Sequence, residues 1–312
     1  MKISFYFTFF FAIIFCKTAI GQQEQLYVTY PINPLAINPA YAGSSGIASV
    51  LVLVRKQSLV LQNVGSSQYL SYNTPLANGK AGLGFQAYNS SFGQIGSGGT
   101  GFNLSGSFRH HFSDSISISV GAQIGLAQVP SLYSGVAEFK PNGGIGVYFR
   151  TFDSFLGISM PVITNSGYSV SQTVKYYYPR PIFVSAGHVV QVNNQLDLKF
   201  GALYRQTIDN SSAVSASALD FNAVLWYKKA IGLGIWKNST GAEVNSKNAI
   251  IISLEGQINA KFRLGFSFDA ASKGTATRIN PTTGRTSSLG LYNLSLRYDF
   301  DNLTGKINNF RI

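Results

Sequence analysis

The feature that most limits what this chain can fold into is an alternation of apolar and polar residues with period two, repeated along nearly its whole length. Between 115 and 128, Ile116, Ile118, Val120, Ala122, Ile124 and Leu126 fall on one face, and Ser117, Ser119, Gly121, Gln123 and Gly125 on the other. Residues 258–269 repeat the pattern, with Ile258, Phe262, Leu264, Phe266 and Phe268 against Lys261, Arg263, Ser267 and Asp269. So does the last stretch, with Tyr292, Leu294, Leu296, Tyr298 and Phe300 against Asn293, Ser295, Arg297 and Asp299. Side chains of a strand point alternately to its two faces, so each stretch predicts a strand with one apolar and one polar side.

About fourteen such segments can be marked, near 47–56, 67–76, 79–90, 99–112, 115–128, 141–150, 153–161, 180–190, 195–206, 213–227, 229–237, 247–258, 261–273 and 285–300. Each is close to the roughly 9–11 residues a tilted strand needs to cross a bilayer. The connections alternate in length. Tight ones fall at Ala77-Asn78, Ser113-Asp114, Thr151-Phe152, 192–194, Lys228 and Asn259-Ala260. Long ones, rich in Gly, Ser, Asn and Pro, fall at 57–66, 91–98, 129–140, 162–179, 207–212, 238–246 and 274–284. A soluble β-sandwich has no reason to gather its long loops at one end, whereas a membrane barrel has short periplasmic turns and long outer loops. An even strand number also returns both ends of the barrel to the periplasm.

Composition points the same way. Charged residues make up 12% of the chain, about half of the ~25% usual for a soluble domain. In hydrocarbon every backbone N–H and C=O needs an internal partner, which only a helix or a closed barrel supplies. No apolar run of helical membrane length follows residue 21. Aromatics gather at expected strand ends, at Phe108 and Phe112, Trp226 and Tyr227, Trp236, and Tyr298 and Phe300, as an interfacial girdle would. The fold class expected is all-β: a transmembrane antiparallel β-barrel of about 14 strands with a short N-terminal extended segment.

Residues 1–21 read as a cleaved signal peptide: Lys2, an apolar run from Ile3 to Phe15, and the small-x-small site Ala19-Ile20-Gly21. Lipidation at Cys16 is disfavoured by the bulky Phe15 before it, and no other Cys exists for a disulfide or thiolate site. Residues 22–46 carry Pro31, Pro34 and Pro39 and are expected to be extended and turn-rich. The barrel occupies 47–300, and 301–312 forms a polar periplasmic tail. Outer-membrane localisation and contact with membrane lipid follow. The formal charge is +12, but the Lys and Arg are scattered without a basic run. With an export signal, that excludes nucleic acid and favours anionic head groups or an acidic protein.

Little in the chain suggests catalysis. The His residues are His110, His111 and His188, and no Ser–His constellation or His/Asp/Glu spacing for a metal is evident. Catalytic, cofactor and metal sites are therefore all expected to be none. The Gly-rich run 93–101 lacks the Lys-Ser/Thr of a phosphate loop and reads as a loop. Glu255, Lys261, Arg263, Arg297 and Asp299 share lumen parity near the short-turn ends of the last three strands. They are either a salt-bridge network that stiffens the barrel or a docking or gating site at its periplasmic mouth.

The stretch 25–46 carries Tyr27, Tyr30 and Asn33, followed by the block Asn38-Pro39-Ala40-Tyr41-Ala42-Gly43. Arg55-x-Gln57, Thr74-Pro75-Leu76, Gly82-Leu83-Gly84, Phe262 to Asp269 and Leu296 to Phe300 follow it. Together these residues resemble the PorP/SprF family, outer-membrane proteins of the type IX secretion system of Bacteroidota. Ser58, where the family often has Trp, and the tail beyond Phe300 depart from its pattern. The resemblance implies a non-enzymatic protein serving export or surface attachment of cargo with C-terminal sorting domains, such as a gliding adhesin. It also implies periplasmic ring or motor components of that system as partners. The competing expectation is a channel or hydrophobic-substrate transporter plugged by residues 22–46. On either view, residues 27–43 are expected to dock or plug rather than pair as a strand. Tyr27, Tyr30 and Tyr41 offer large stiff surfaces, and Asn33 and Asn38 can close turns.

Overall fold

The computed structural model describes residues 29–56, 66–91, 99–130, 137–164, 167–169, 175–177, 180–208, 216–238, 249–269, 277–279, 286–288 and 291–300. The expected leader, Tyr27, the tail after Phe300 and most of the long connections lie outside these residues.

Fourteen strands form one closed barrel. In chain order they are β1 (Ser49–Lys56), β2 (Ser66–Leu76), β3 (Ala81–Ser91), β4 (Thr100–His111), β5 (Ser117–Pro130), β6 (Ala137–Arg150) and β7 (Ser154–Met160). After a short hairpin of β8 (Gly167–Ser169) and β9 (Lys175–Tyr177) come β10 (Arg180–Asn193), β11 (Leu196–Ile208), β12 (Ala216–Tyr227) and β13 (Ile231–Asn238). Then follow β14 (Ala249–Gln257), β15 (Phe262–Asp269), a second hairpin of β16 (Thr277–Ile279) and β17 (Thr286–Ser288), and β18 (Leu291–Asp299). Each barrel strand pairs antiparallel with its neighbours, and β1 closes on β18 from Ser49↔Asp299 to Lys56↔Tyr292. All fourteen expected strands are present. Within the barrel, closure gives each described strand a hydrogen-bonded neighbour on both sides.

The burial pattern is inside out relative to a soluble protein. Along β4 it alternates strictly, with Phe102, Leu104 and Phe108 exposed and Asn103, Ser105, Ser107 and Arg109 buried. Ile124 on β5 is 68% exposed, while Gln123 beside it is 4% exposed. Apolar side chains thus face outward, where hydrocarbon is their solvent, and polar ones face a filled lumen.

The tight turns use backbone geometry that sequence composition does not advertise. Lys228 and Lys229 both have positive φ (49° and 55°), as do Ala77 and Asn78 (50° and 54°). Two consecutive left-handed residues match the twist of a hairpin, even where neither is glycine.

Three expectations need correction. The sixth strand begins at Ala137 rather than 141, through Pro141. The β6–β7 ladder ends at Ile145↔Met160, so Pro141 lies where β6 has no regular ladder on that side and a missing N–H costs little. The last strand begins at Leu291 rather than 285; Thr286–Ser288 belongs to the second hairpin. Trp226 and Trp236 are not girdle residues. Both face the lumen at 1% exposure, and only their neighbours, such as Tyr227, face outward.

Candidate functional site

Residues 29–47 do not join the wall. Pro34–Ala36 and Pro39–Tyr41 form single 3-10 turns, each with its proline at the first position, where a fixed φ helps and no N–H is needed. The segment is therefore compact rather than extended. Asn38 caps the second turn: its Oδ1 accepts from the Ala40 N–H at 2.9 Å, and its Nδ2 donates to the Val147 carbonyl at 3.0 Å.

The segment touches lumen-facing residues around most of the circumference, which places it inside the barrel. Tyr30 and Ile37 pack with Phe183 and Leu203. Ala36 packs with Leu53 and Tyr69, and Ile32 with Trp236 and Ile251. The Tyr30 hydroxyl accepts from Asn222 Nδ2 at 2.7 Å. Burial, reinforced by the nearby Asp220, pushes that hydroxyl well above the ordinary tyrosine range, so Tyr30 stays neutral. Leu35, Ile37, Ala40 and Ala42 are all buried.

On the β2–β7 side the fit is backbone to backbone. Lumen-facing Gly82, Gly84, Gly121, Gly146 and Gly157 form a cradle in which an added Cβ would strike Ala42, Leu35, Ala40 or Asn38. Gly43 has φ +68°, donates its N–H to Asn73 Oδ1 at 2.5 Å, and lies against Gly82 and Pro75. Only glycine combines that left-handed backbone with so close an approach. The stretches 38–43, 73–76 and 82–84, scattered in sequence, thus meet at one place.

Arg109 secures this junction. Its Nη atoms donate to the carbonyls of Ala42 (3.0 Å) and Gly43 (3.1 Å) and to Ser44 Oγ (2.8 Å). It also donates to the Gly79 carbonyl (3.1 Å) and, through Nε, to Ser119 Oγ (3.0 Å). Ser107 Oγ donates to the Ala42 carbonyl at 2.7 Å and Ser159 Oγ to the Ile37 carbonyl at 2.6 Å. Arg150 donates to the Ser44 carbonyl. The wall thus takes up carbonyls that a short irregular segment cannot pair by itself. Sequence reasoning passed over Arg109, Asn73 and Ser107; their signal was lumen parity in strands otherwise rich in Ser and Gly.

Near the short-turn ends of β11, β14, β15 and β18 the segment stands off. A cavity of about 40 Å³ separates Pro31, Ile32, Pro34 and Tyr41 from Leu51, Lys199, Glu255, Arg263, Ser295 and Arg297. Glu255, Arg263 and Arg297 of the expected charge cluster therefore meet, and Asp299 accepts from Arg297 Nε at 3.0 Å. Lys261 does not line the cavity; it sits in the β14–β15 turn, where its N–H is held by Asn259 Oδ1 at 2.8 Å. Lys199, from β11, takes its place. Arg263 lies over the Trp226 ring, 5.0 Å from its centre, and donates to Gln257 Oε1 at 2.8 Å.

Contrary to expectation, one Ser–His pair does form. His188 Nδ1 lies 2.7 Å from Ser154 Oγ, and Ser154 donates to Asp153 Oδ1 at 3.0 Å. A catalytic triad needs the acid on the imidazole nitrogen opposite the serine. Here Asp153 lies 3.9 Å from the same Nδ1, so it cannot orient the ring as a relay. Hydrogen bonds from Ser154 and Thr151 hold the Asp153 carboxyl below its usual range, the behaviour of a turn cap. Among the described residues no group of three His, Cys, Asp or Glu could hold a metal.

The family model for type IX secretion system membrane proteins PorP/SprF matches residues 19–287. The chain belongs to the PorP/SprF family. The match takes in the lumen segment, its glycine cradle, Arg109 and most of the barrel. Among solved structures, a Pseudomonas aeruginosa FadL homologue superposes with a TM-score of 0.50 at 12% identity, covering 88% of this chain and 94% of that one. The CymD monoaromatic hydrocarbon channel gives 0.47 at 11% identity, covering 91% and 95%. Omp33 of Acinetobacter baumannii gives 0.46 at 10%, covering 81% and 96%. At these identities the likeness concerns the fold, an outer-membrane barrel. No curated protein sequence matches.

Proposed function

We propose that this PorP/SprF protein is a non-enzymatic outer-membrane component of the type IX secretion system, in which residues 27–43 close the lumen. It supports export or surface attachment of cargo with C-terminal sorting domains, working with ring or motor components in the periplasm. The observation that carries the reading is the seat of the segment. Buried polar groups and a glycine cradle are matched to the backbone of residues 35–44, more than a spacer would require. Ser154 and His188 serve the β6–β7 turn rather than turnover.

The test is deletion of residues 27–43 in cells that secrete such cargo. Normal barrel assembly with lost secretion supports a working element in export, and new ion leakage supports a plug. Normal assembly, normal secretion and no leak would make the segment a spacer. The competing reading, a channel for apolar substrates, draws on the lumen aromatics Trp226, Trp236 and Phe183. It requires substrate uptake that depends on the barrel and is independent of secretion.

A further inference from the structure

The two sides of the lumen treat the segment differently. Along β3, β5, β6 and β7 the recesses of Gly82, Gly84, Gly121, Gly146 and Gly157 are filled by residues 35–43. Near the short-turn ends of β14, β15 and β18 the wall also carries small residues, the paired Gly265 and Ser295, yet the segment leaves a cavity there, with Ser295 in its lining. At about 10–15 Å³ for each water, a cavity of 40 Å³ holds about three waters, or one small polyatomic ion.

The lining chemistry is one-sided. The segment contributes no charge, through Pro31, Ile32, Pro34 and Tyr41, and the wall contributes Lys199, Arg263 and Arg297 against one lining carboxylate, Glu255. Both guanidinium groups are held in place through Nε, Arg263 by Gln257 and Arg297 by Asp299. Arg263 is further fixed over Trp226. Cationic forks set in advance around a small cavity suit a planar or tetrahedral oxyanion.

We propose that this cavity binds a small oxyanion, a carboxylate or a phosphate group, between the lumen segment and the Lys199–Arg263–Arg297 wall. Glu255 competes with the ligand for the same cations and sets a low affinity. The proposal rests on the seating of residues 29–46, which form one side of the cavity. Its failure is distinguishable from failure of the export role, because the titration below is done on purified protein.

The chain has two Trp residues. In a Trp236→Phe background, Trp226, beneath Arg263, is the sole indole. The mature protein in detergent is titrated with sodium phosphate and, separately, sodium acetate, with chloride holding ionic strength constant. A saturable change in Trp226 fluorescence, with a matching rise in unfolding temperature, is expected for at least one of the two. Tighter phosphate binding identifies a phosphate site and tighter acetate binding a carboxylate site. Arg263→Gln and Arg297→Gln should each weaken binding at least tenfold, and Glu255→Gln should strengthen it at least fivefold. If an arginine variant fails to fold, the Glu255→Gln arm still decides. No saturable response in either readout, or a Glu255→Gln response equal to or weaker than wild type, overturns the proposal.

Discussion

Replacing Arg109 by Met tests what holds the lumen segment. Three of the five hydrogen bonds that Arg109 makes end on the segment, at Ala42, Gly43 and Ser44. A hydrogen bond to a charged group contributes about 1.5–3 kcal/mol, and bonds that share one guanidinium do not add fully, so the seat should weaken by about 4 kcal/mol. At ~1.4 kcal/mol per factor of ten, that lowers the seated-to-unseated ratio by roughly a thousandfold. The barrel itself should suffer less. Met keeps much of the side-chain volume, and removing a buried cation relieves its desolvation cost. The assay is maleimide labelling of Ala40→Cys in a purified barrel expressed from residue 22 onward, where Ala40 is 0% exposed and the chain's one native Cys, Cys16, is left out. Arg109→Met should turn slow labelling fast while heat resistance of the barrel stays near wild type. Arg109→Lys, which keeps the charge but not the fork, should fall between. Unchanged labelling in Arg109→Met, with the barrel intact, would refute the claim that this residue holds the segment.

Other outcomes follow from the same structure. Gly121→Val would drive a Cβ into Ala40, so Ala40→Cys labelling should rise by about fivefold to a hundredfold, matching the ~1–3 kcal/mol typical of overpacking, without loss of the β4–β5 ladder. An epitope within 162–179 should be reached by antibody on intact cells and one at Ser113-Asp114 should not; the reverse labelling would invert the barrel. Purified Ser154→Ala and His188→Ala proteins should match wild type in showing no lipase or deacylase turnover, and secretion should persist; lost secretion with a normal barrel would revive an enzymatic role. Because Asp153 has a depressed folded pKa, its contribution to the 151–154 turn should hold above the usual carboxylate range. It should fade as pH falls through the lowered value, seen as faster exchange of the Ser154 amide and mimicked by Asp153→Asn.

Much of the barrel was legible because the period-two pattern of a strand between lipid and lumen survives in each segment, as at Ile116–Leu126. Boundaries blurred where tertiary context overrode a local signal. The sixth strand is read from 141 onward, yet β6 begins at Ala137 and runs through Pro141 beyond its ladder with β7. Trp226 and Trp236 read as girdle residues because lumens are usually polar. Here the lumen is partly apolar, since it packs against Ile32, Tyr30 and Ile37 of its own chain. The block Asn38 to Gly43 was visible as a motif, but its partners were not. Gly82, Asn73 and Arg109 lie on the neighbouring strands β3, β2 and β4, and it is the pairing register of those strands that brings them to one junction. Ser154 and His188 were hidden for the same reason, being paired across the β7–β10 ladder.

The measurement that bears most directly on the account is ion conductance of the purified barrel in planar bilayers, with and without residues 27–43. Closure by the seated segment predicts a silent wild-type barrel and stable open pores in the deletion protein. A wild-type barrel that conducts as well as the deletion protein would contradict it.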